Sequence, residues 1–224
     1  MEYHDKEYCL EVWGDLACFT RPEFKVERVS YEVITPSAAR AIFEAIFWKP
    51  AIRWEVSRIE VLAPIRTTSI RRNEVGATAN TRKRQIYIED NRQQKSAIML
   101  RDVRYRIYAR QIFVPVGKRK TNNKPDSTDE NPGKYNAMFE RRARSGQCFN
   151  QPYLGTRECS ASFRFVESNE DKTSQPIPES RDLGLMLYDM DFNNPKNIKP
   201  IYYHPMMVNG TIEVPSPSSD KLIR

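Results

Sequence analysis

One segment near the middle of the chain alternates between arginine and apolar or aromatic side chains. It runs from Val103 to Arg110 and continues through Ile112, Phe113 and Val114. Successive side chains of a β-strand point to opposite faces of the sheet, so this alternation predicts a strand with one apolar and one basic face. It is the clearest strand signal in the chain, and the remaining elements are predicted around it.

Two helices are predicted from a capping residue followed by proline. Thr35-Pro36 precedes two rows of apolar residues at helical spacing, and Pro50 stops this helix. Asn131-Pro132 repeats the start signal before a second apolar row, which ends near Gly146. The capping side chain can accept a hydrogen bond from the first turn, and proline lacks a donor that this turn would leave unused.

Further strands are expected from alternating or apolar runs at residues 8–13, 52–62, 85–89 and 159–166. The segment from residue 64 to about residue 84 is rich in arginine, threonine and asparagine and is predicted as a loop. This order of elements predicts an α+β fold with a ferredoxin-like βαββαβ core, the layout of RRM-type RNA-binding domains. Many functions share this fold, so the layout alone does not assign one.

Positive charge is concentrated in the middle of the sequence. The chain has 36 basic and 29 acidic residues, a net charge of +7. Residues 49–144 hold 23 basic and 10 acidic side chains, whereas residues 1–48 hold 5 and 9 and residues 145–224 hold 8 and 10. Arginine dominates the basic segment, and its planar guanidinium matches phosphate and can stack on bases. Such segregated charge is typical of a protein that binds a polyanion.

Nucleic acid is the polyanion that the sequence favours. A basic face that serves only solubility is one alternative, although solubility does not require one sign of charge to be segregated. A membrane surface is another, and it would favour a basic amphipathic helix or a lysine-rich run. Only Lys118–Lys120 resembles such a run. No apolar run approaches the roughly 20 residues of a membrane helix, so no membrane partner is expected.

The C-terminal part of the chain is predicted to be a separate small unit. Residues 168–180 are polar with two prolines and look like a linker. The three short extended segments that follow lie at residues 185–192, 201–204 and 211–214. They predict a small antiparallel sheet. We therefore expect an RNA-binding domain with basic loops over residues 1–167, and a linker with a small β-sheet extension over residues 168–224.

Metal and cofactor chemistry finds little support in the sequence. The four cysteines form no CxxC pair and have no histidine at ligand spacing, which disfavours zinc and suits reduced thiols in the cytoplasm. Asp189 and Asp191 could share one strand face, but a solvated face is the simpler interpretation. His4 and His204 are the only histidines in the sequence, so RNA cleavage by a pair of histidines is not expected. Lysine and tyrosine remain as candidate catalytic residues for cleavage without a metal. We expect no metal and no cofactor.

Several short sequence motifs are informative when they are taken together, although each alone would be weak evidence. They are Val12-Trp13-Gly14-Asp15, Ala17-Cys18-Phe19-Thr20-Arg21-Pro22-Glu23, Val29-Ser30-Tyr31, Thr35-Pro36-Ser37-Ala38-Ala39-Arg40, Trp48-Lys49-Pro50, Arg71-Arg72-Asn73-Glu74-Val75, Asn91-Arg92-Gln93-Gln94, Leu154-Gly155-Thr156-Arg157-Glu158-Cys159 and Asp182-Leu183-Gly184. In this order, from Tyr8 to about Val214, the set resembles the fifth Cas family as it occurs in subtype I-C CRISPR systems, also called the Dvulg subtype.

The resemblance implies a fold, an activity and partners. Members of this family belong to the RAMP superfamily and have a ferredoxin-like RNA-binding domain followed by a small β-sheet extension. They cut CRISPR precursor RNA at the base of the repeat hairpin without a metal and remain on the 5′ handle of the crRNA. There they are part of the type I-C interference complex, beside its backbone and large subunits, and meet target DNA through the complex. The alternative is a catalytically degenerate subunit that only binds the handle.

The catalytic pattern of the family is only partly present. A tyrosine that precedes Trp-Lys-Pro in one member is replaced here by Phe47, and a Lys-His pair early in the second helix is replaced by Lys134-Tyr135. The resemblance thus implies that Lys134 stabilises charge on the cleaved phosphate. Phe47 and Tyr135 are either core residues, or Tyr135 has taken over proton transfer beside Lys134. The residues expected to bind RNA are Arg21, Lys25, Arg28, Arg71, Arg72, Arg141, Arg142 and Arg157.

Overall fold

The computed structural model describes residues 5–78, 85–119, 124–125, 130–167 and 174–224. In these residues the chain forms an α+β fold with a mainly antiparallel sheet and few helices. The helices are α1 (Pro36–Ile46), α2 (Ile88–Asn91) and α3 (Pro132–Arg144). The strands are β1 (Lys6–Ala17), β2 (Arg28–Val29), β3 (Ile52–Val61), β4 (Thr67–Val75), β5 (Arg92–Phe113), β6 (Ser162–Val166), β7 (Arg181–Asp182), β8 (Met186–Asp191), β9 (Lys199–Tyr203), β10 (Met206–Val208) and β11 (Thr211–Glu213). None of the described helices is long and apolar enough to cross a membrane.

The long strand β5 is the centre of the main sheet. Its C-terminal half lies between β1 and β3, both antiparallel to it, so that Tyr105 is opposite Val12 on one side and Val61 on the other. The sheet continues outwards in the order β6-β1-β5-β3-β11-β10-β7. The N-terminal half of β5 instead pairs antiparallel with β4 and, over two residues, parallel with β2. We call β2, β4 and residues 92–100 of β5 the arm.

The alternation predicted for β5 is confirmed. Tyr105, Ile107 and Ala109 are buried on the face that packs against the helices. Arg104 and Arg106 alternate with them and therefore lie on the opposite face. The strands predicted before the first helix, after it and after the second helix are likewise present as β1, β3 and β6.

Both predicted helices begin as expected. Thr35 Oγ1 accepts a hydrogen bond from the backbone N–H of Ala38 at 3.3 Å, and Asn131 Oδ1 accepts one from the N–H of Lys134 at 2.9 Å. Each capping residue has an extended backbone and is followed by proline in the first turn. The first helix ends before Phe47, whose backbone is again extended. The caps therefore fix where each helix starts, and with it the face that each side chain occupies.

Aromatic rings join the two longer helices to the sheet. The ring of Phe139 on α3 lies 4.6 Å from Trp54 and 4.8 Å from Tyr8, measured between centroids, and 5.8 Å from Phe43 on α1. All four side chains are buried. Large buried rings dominate the energy of a hydrophobic core, so Phe139 is the point at which both helices and the sheet are held together.

The prediction of a loop from residue 64 onwards is wrong, because residues Thr67–Val75 form β4. The nine side chains of this strand alternate between exposed and half-buried, and none of them is buried. The hydrophobic alternation that marks a strand in a sequence is therefore absent. Backbone pairing with β5 along the whole length of β4 forms the strand instead.

The strand predicted at residues 85–89 is also wrong. Ile88–Asn91 form the short helix α2, and Asn91 Nδ2 donates a hydrogen bond to the carbonyl of Tyr87 at 2.9 Å. Asparagine side chains often bond to nearby backbone groups in this way, which favours a local turn over an extended strand. Arg82 and Arg84 of the basic segment lie outside the described residues.

The C-terminal segments divide between two sheets. The predicted segments at residues 185–192 and 201–204 pair with each other as β8 and β9, in a separate two-stranded sheet. The third segment, predicted at residues 211–214 as part of the same sheet, instead pairs as β11 with β3 of the main sheet. There Ile212 lies opposite Ile59, and both are completely buried. This pairing removes apolar surface from water, which stabilises the attachment of β11 to the main sheet.

Part of the predicted linker is bonded to the main sheet. Its residues 168–173 lie outside the described residues. In the remainder, the N–H of Ile177 donates to the carbonyl of Val61 at 2.9 Å, and Arg106 Nη2 donates to the carbonyl of Ser174 at 2.7 Å. The described part of the linker therefore lies against the main sheet.

Replacement of Phe139 tests the importance of the aromatic contact. We expect Phe139→Ala to lower the free energy of unfolding by about 3–5 kcal/mol, because a cavity would form between both helices and the sheet. Urea denaturation followed by circular dichroism measures this change. The control is Phe192→Ala, since Phe192 is 61% exposed and its loss should change stability by about 0.5 kcal/mol or less. Equal stability of the two variants would contradict the central position of Phe139.

Candidate functional site

Phe47, at the family's tyrosine position, lies between the two longer helices. It directly follows α1 and is completely buried. Its ring centroid is 6.3 Å from that of Tyr135 on the first turn of α3, and the guanidinium of Arg142, two turns later, lies 5.2 Å from it. Arg142 Nη1 also donates to the carbonyl of Ile46 at 3.2 Å. The structure therefore brings Phe47, Tyr135 and Arg142 together at the end of α1, with Lys134 next to them on α3.

The hydroxyl of Tyr135 belongs to a buried network. It donates a hydrogen bond to Glu130 Oε1 at 2.6 Å, and Arg119 Nη2 donates to the same oxygen at 2.5 Å. Arg119 also donates to the carbonyls of Val114 at 3.1 Å and Lys124 at 2.9 Å. The side chains of Arg119 and Glu130 are only 1% and 7% exposed. Charge-assisted hydrogen bonds in such a buried place are strong, so the network fixes the position of Tyr135.

Arg119 and Glu130 are candidate site residues that the sequence analysis missed. Arg119 stands in the basic run Lys118–Lys120, which looks in the sequence like part of an exposed loop. Its burial depends on an ion pair with Glu130, and no periodic pattern or motif marks such a pair. A weak signal was the helix start at Asn131, which places Glu130 immediately before the turn that carries Tyr135.

Lys134 lies on a helix turn without acidic residues. It is half-buried, beside Tyr135 on the first turn of α3. This turn, all of which the structure describes, contains no acidic residue. Pro132 has no N–H and the N–H of Lys134 donates to Asn131, so the ammonium group of Lys134 would be the main attraction for a phosphate at this turn.

Six of the residues expected to bind RNA lie on or next to the arm, and we call them the arm group. They are Arg21, Lys25, Arg28, Arg71, Arg72 and Arg157. Arg28 pairs with Glu158 at 2.7 Å, and Arg72 pairs with Glu74 at 2.5 Å. Arg71 is exposed beside Arg72 on β4. Local acids thus engage Arg28 and Arg72, whereas Arg71 presents its charge at the surface.

The other residues that were expected to bind RNA lie in two places, next to β2 and at the end of α3. Arg21 lies 4.8 Å from the ring centroid of Tyr31, and its N–H donates to the carbonyl of Val29 at 2.9 Å, which joins it to β2. Lys25 is exposed in the same segment. Arg141 and Arg142 lie instead on the last turns of α3, where Arg141 is exposed. The structure therefore places the arm group around β2, β4 and the neighbouring loops, with Arg71 and Arg72 on opposite faces of β4, and places Lys134, Arg141 and Arg142 on α3.

Gly155 allows the loop that carries Arg157 to dock against the end of β1. Its φ angle is +88°, and a side-chain carbon at this position would collide with the carbonyl oxygen of Cys18. The N–H of Cys18 donates to the carbonyl of Leu154 at 3.0 Å, which holds the two segments together. Only glycine combines this conformation with such a close approach, so the placement of Arg157 depends on it.

Two arginines of the basic face predicted for β5, Arg104 and Arg106, are paired with carboxylates. Glu11 of β1 is completely buried and accepts hydrogen bonds from Arg104 Nε at 2.6 Å and from Arg164 Nη2 at 2.9 Å. Arg106 pairs with Glu60 at 2.5 Å. Burial alone would raise the pKa of Glu11, but the hydrogen bonds from both arginines outweigh it and lower the pKa below its usual value. These arginines are therefore paired within the protein.

The two aspartates considered as metal ligands make structural contacts. Arg40 Nη2 of α1 donates to Asp189 Oδ1 at 3.0 Å, and Asp191 Oδ1 accepts a hydrogen bond from the N–H of Asn193 at 2.9 Å. Asp189 thus joins α1 to β8, and Asp191 closes the turn after β8. Across the described ranges, no group of three or more His, Cys, Asp or Glu residues could hold a metal ion.

Comparison with known proteins identifies first the class and then the family. The fold matches the crystal structure of a CRISPR-associated protein with a TM-score of 0.71 and 25% sequence identity, over 99% of this chain and 98% of that chain. The antiparallel sheet with its two packed helices is thus the fold of a CRISPR-associated protein. The family model described as CRISPR-associated protein (Cas_Cas5) matches residues 7–215. The chain belongs to this family.

Two relatives are similar over almost the whole chain. The CRISPR pre-crRNA endoribonuclease Cas5d of Mannheimia succiniciproducens is 46% identical over 221 residues, which cover 92% of this chain and 93% of that protein. The protein of the same name from Thermus thermophilus is 40% identical over 235 residues, which cover 96% of this chain and 94% of that protein. The family predicted from the sequence strings is therefore confirmed.

Removal of the Tyr135 hydroxyl tests the buried network. We expect Tyr135→Phe to lower the free energy of unfolding by about 1–3 kcal/mol, because Glu130 would lose one of its hydrogen-bond donors in a buried place. The control is Tyr87→Phe, which removes an exposed hydroxyl that donates to Gln85 at 2.6 Å, and it should change stability by about 0.5 kcal/mol or less. Urea denaturation of both variants measures the difference. A Tyr135→Phe variant as stable as its parent would show that the Tyr135 hydroxyl does not contribute to stability.

Proposed function

We propose that this chain cleaves CRISPR precursor RNA at the repeat hairpin without a metal ion. It then stays on the 5′ handle of the crRNA as a subunit of the type I-C interference complex. The observation that carries the proposal is the similarity, over most of the chain, to two relatives named pre-crRNA endoribonucleases. The partners are the repeat RNA, the backbone and large subunits of the complex, and target DNA reached through the complex.

A ferredoxin-like core is part of this proposal. Apart from the strands of the arm and the short helix α2, the elements β1, α1, β3, β5, α3 and β6 follow one another in the βαββαβ order. The four strands lie side by side in the order β6-β1-β5-β3. We assign the core and the arm to residues 1–167 and the extension to residues 168–224. The separate sheet of β8 and β9 supports this division, while β11 attaches the extension to β3.

Cleavage proceeds by attack of a ribose 2′-hydroxyl on the adjacent phosphate. The bond from phosphorus to the 5′-oxygen of the next nucleotide breaks, which leaves a 2′,3′-cyclic phosphate and a 5′-hydroxyl. One proton leaves the attacking hydroxyl and one reaches the departing oxygen, so no water is consumed. The ammonium group of Lys134 stabilises the negative charge that develops on the phosphorane. The absence of acidic residues from the fully described first turn of α3 supports this role for Lys134.

Tyr135 remains the predicted proton carrier. The alternative is that it only packs in the core. A proton carrier must come within hydrogen-bond reach of the 2′-hydroxyl or of the departing oxygen. Tyr135 is only 2% exposed and its hydroxyl donates to Glu130, which favours the packing role. Phe47 has no proton to transfer and contributes packing between the helices.

The second candidate function is a catalytically degenerate subunit that binds the handle without cutting the precursor. One observation favours it. Phe47 and Tyr135, at two of the three catalytic positions of the family, are both buried, and Phe47 has no acid–base group. The partners are the same in both candidate functions, so RNA binding is expected in either case.

Cleavage kinetics distinguish the two candidate functions. In single-turnover assays with the cognate repeat RNA and EDTA, we expect the unmodified protein to cut and Lys134→Ala to cut about 10²-fold more slowly, the effect of losing one preorganised donor. Affinity for the RNA should fall much less, because one phosphate contact among many is lost. The control is Lys221→Ala, at an exposed lysine near the C-terminus.

Three outcomes would contradict the catalytic proposal. An unmodified protein that binds the repeat tightly but never cuts it would leave only the handle-binding function. A Lys134→Ala variant as fast as the unmodified protein would place the active site elsewhere. Activity that disappears with chelator and returns only with magnesium would exclude the metal-free mechanism.

The salt dependence of RNA binding separates exposed arginines from paired ones. We expect Arg71→Ala and Arg141→Ala each to lower the slope of log affinity against log salt by about 1, because each exposed guanidinium neutralises one phosphate. Arg72→Ala and Arg142→Ala should lower the slope less, since these side chains already make contacts within the protein. Binding titrations over a series of salt concentrations measure the slopes. An unchanged slope in both exposed variants would place the RNA on another surface.

A further inference from the structure

The guanidinium of Arg119 holds three segments of the chain together. Its Nε donates to the carbonyl of Val114, just after β5, and its Nη1 donates to the carbonyl of Lys124. Its Nη2 donates to the carboxylate of Glu130, which directly precedes the capping residue of α3. Arginine presents its donors in a rigid planar fork, so the three acceptors are held in one relative arrangement. The start of α3 is thereby fixed relative to the end of β5.

The carboxylate of Glu130 extends this constraint across the first turn of α3. The oxygen that accepts from Arg119 also accepts from the hydroxyl of Tyr135, at 2.6 Å. Between these two residues, the N–H of Lys134 donates to the side chain of Asn131 at 2.9 Å. Lys134 therefore lies on a turn whose two ends are both held, and its side chain leaves the helix from a fixed backbone position.

The ring of Tyr135 holds the same turn from the other side. Its centroid lies 6.3 Å from that of Phe47 and 6.1 Å from that of Phe113 at the end of β5. Protein interiors are close-packed, so a buried ring cannot shift without displacing its neighbours. A movement of Lys134 along the helix would have to break the hydroxyl contact of Tyr135 and disturb this packing together.

A buried ion pair at this place is better suited to fixing geometry than to adding stability. The cost of removing two charges from water offsets most of their attraction, and apolar residues of similar size often stabilise a protein as well or better. Catalytic groups, in contrast, must be held within about 0.5 Å of the productive position. A displacement of about 1 Å can slow a reaction by about 10²-fold.

We propose that Arg119 and Glu130 are positioning residues that hold Lys134 in place for cleavage. They act through the first turn of α3, since side chains that are only 1% and 7% exposed offer almost no surface to the RNA. This inference rests on the proposed function, because it requires Lys134 to stabilise the phosphorane. It predicts that loss of the ion pair slows cleavage while RNA affinity is retained.

The test removes the ion pair without leaving a buried charge. Arg119→Met combined with Glu130→Gln is neutral, and the new amide can still accept from the Tyr135 hydroxyl. In single-turnover assays with saturating repeat RNA and EDTA, we expect cleavage to be about 10- to 100-fold slower. The dissociation constant of the RNA should change little, because no phosphate contact is removed.

A second buried ion pair provides a matched control. Arg106 and Glu60 are paired at 2.5 Å with side chains 2% and 10% exposed, and Arg106 also donates to a backbone carbonyl, that of Ser174. Arg106 lies on the sheet face opposite the helices, away from α3. We expect Arg106→Met combined with Glu60→Gln to change thermal stability comparably but to leave the cleavage rate unchanged.

A mutant cycle with Lys134 separates positioning from a general structural effect. If the ion pair acts through Lys134, its removal should slow a Lys134→Ala protein by no more than about 2-fold. A purely structural role would slow both backgrounds equally. Thermal melting shows whether each variant is folded at the assay temperature. If the double substitution is not, Arg119→Lys replaces it in the cycle, because it keeps the charge beside Glu130 but lacks the fork.

The possible failures are distinguishable. A folded variant without the ion pair that cuts at the normal rate, while Lys134→Ala is slow, would overturn this inference alone. Equal slowing in both backgrounds, or slowing by the control pair as well, would show that the ion pair does not act by positioning Lys134. An unmodified protein that never cuts, or a Lys134→Ala variant as fast as the unmodified protein, would overturn the proposed function and this inference with it.

Discussion

The backbone pairing of β5 is the interaction on which the rest of the structure depends. Its 22 residues pair with β1 and β3 in the C-terminal half and with β4 and β2 in the N-terminal half. The hydrophobic core draws mainly on the C-terminal half, although Ala97, Met99 and Leu100 of the N-terminal half are also buried in it. The strands that pair with the N-terminal half, β2 and β4, carry the arginines of the arm. Because one continuous strand runs through both, the arginines of the arm are held in a fixed direction relative to the helices.

At the end of α1, three successive carbonyls accept hydrogen bonds from outside the helix. The last carbonyls of a helix carry partial negative charge and would repel a phosphate. Here the carbonyl of Ala45 accepts from the loop after α3, that of Ile46 from Arg142, and that of Phe47 from Trp54. The negative end of α1 is thus neutralised by hydrogen bonds from within the protein.

The sequence was most informative where an interaction is local. Thr35 and Asn131 cap the turns that follow them, so both helix starts could be predicted to the residue. The alternation in β5 was equally clear because one of its faces packs in the apolar core and the other carries arginines that pair with carboxylates. The strand β4 was missed because backbone pairing with a distant segment, rather than burial, makes it a strand. The pair of Arg119 and Glu130 was missed for a related reason, since a buried ion pair between irregular segments leaves no periodic trace.

Gly155 limits how a sequence with this fold can change over generations. Any other residue there would suffer both from the positive φ angle and from collision with the carbonyl of Cys18. The loop cannot retreat without breaking the hydrogen bond between Cys18 and Leu154. A lineage that replaced this glycine would have to rebuild the whole loop at once. We therefore expect this position to evolve far more slowly than the exposed Arg157, two residues further along the same loop.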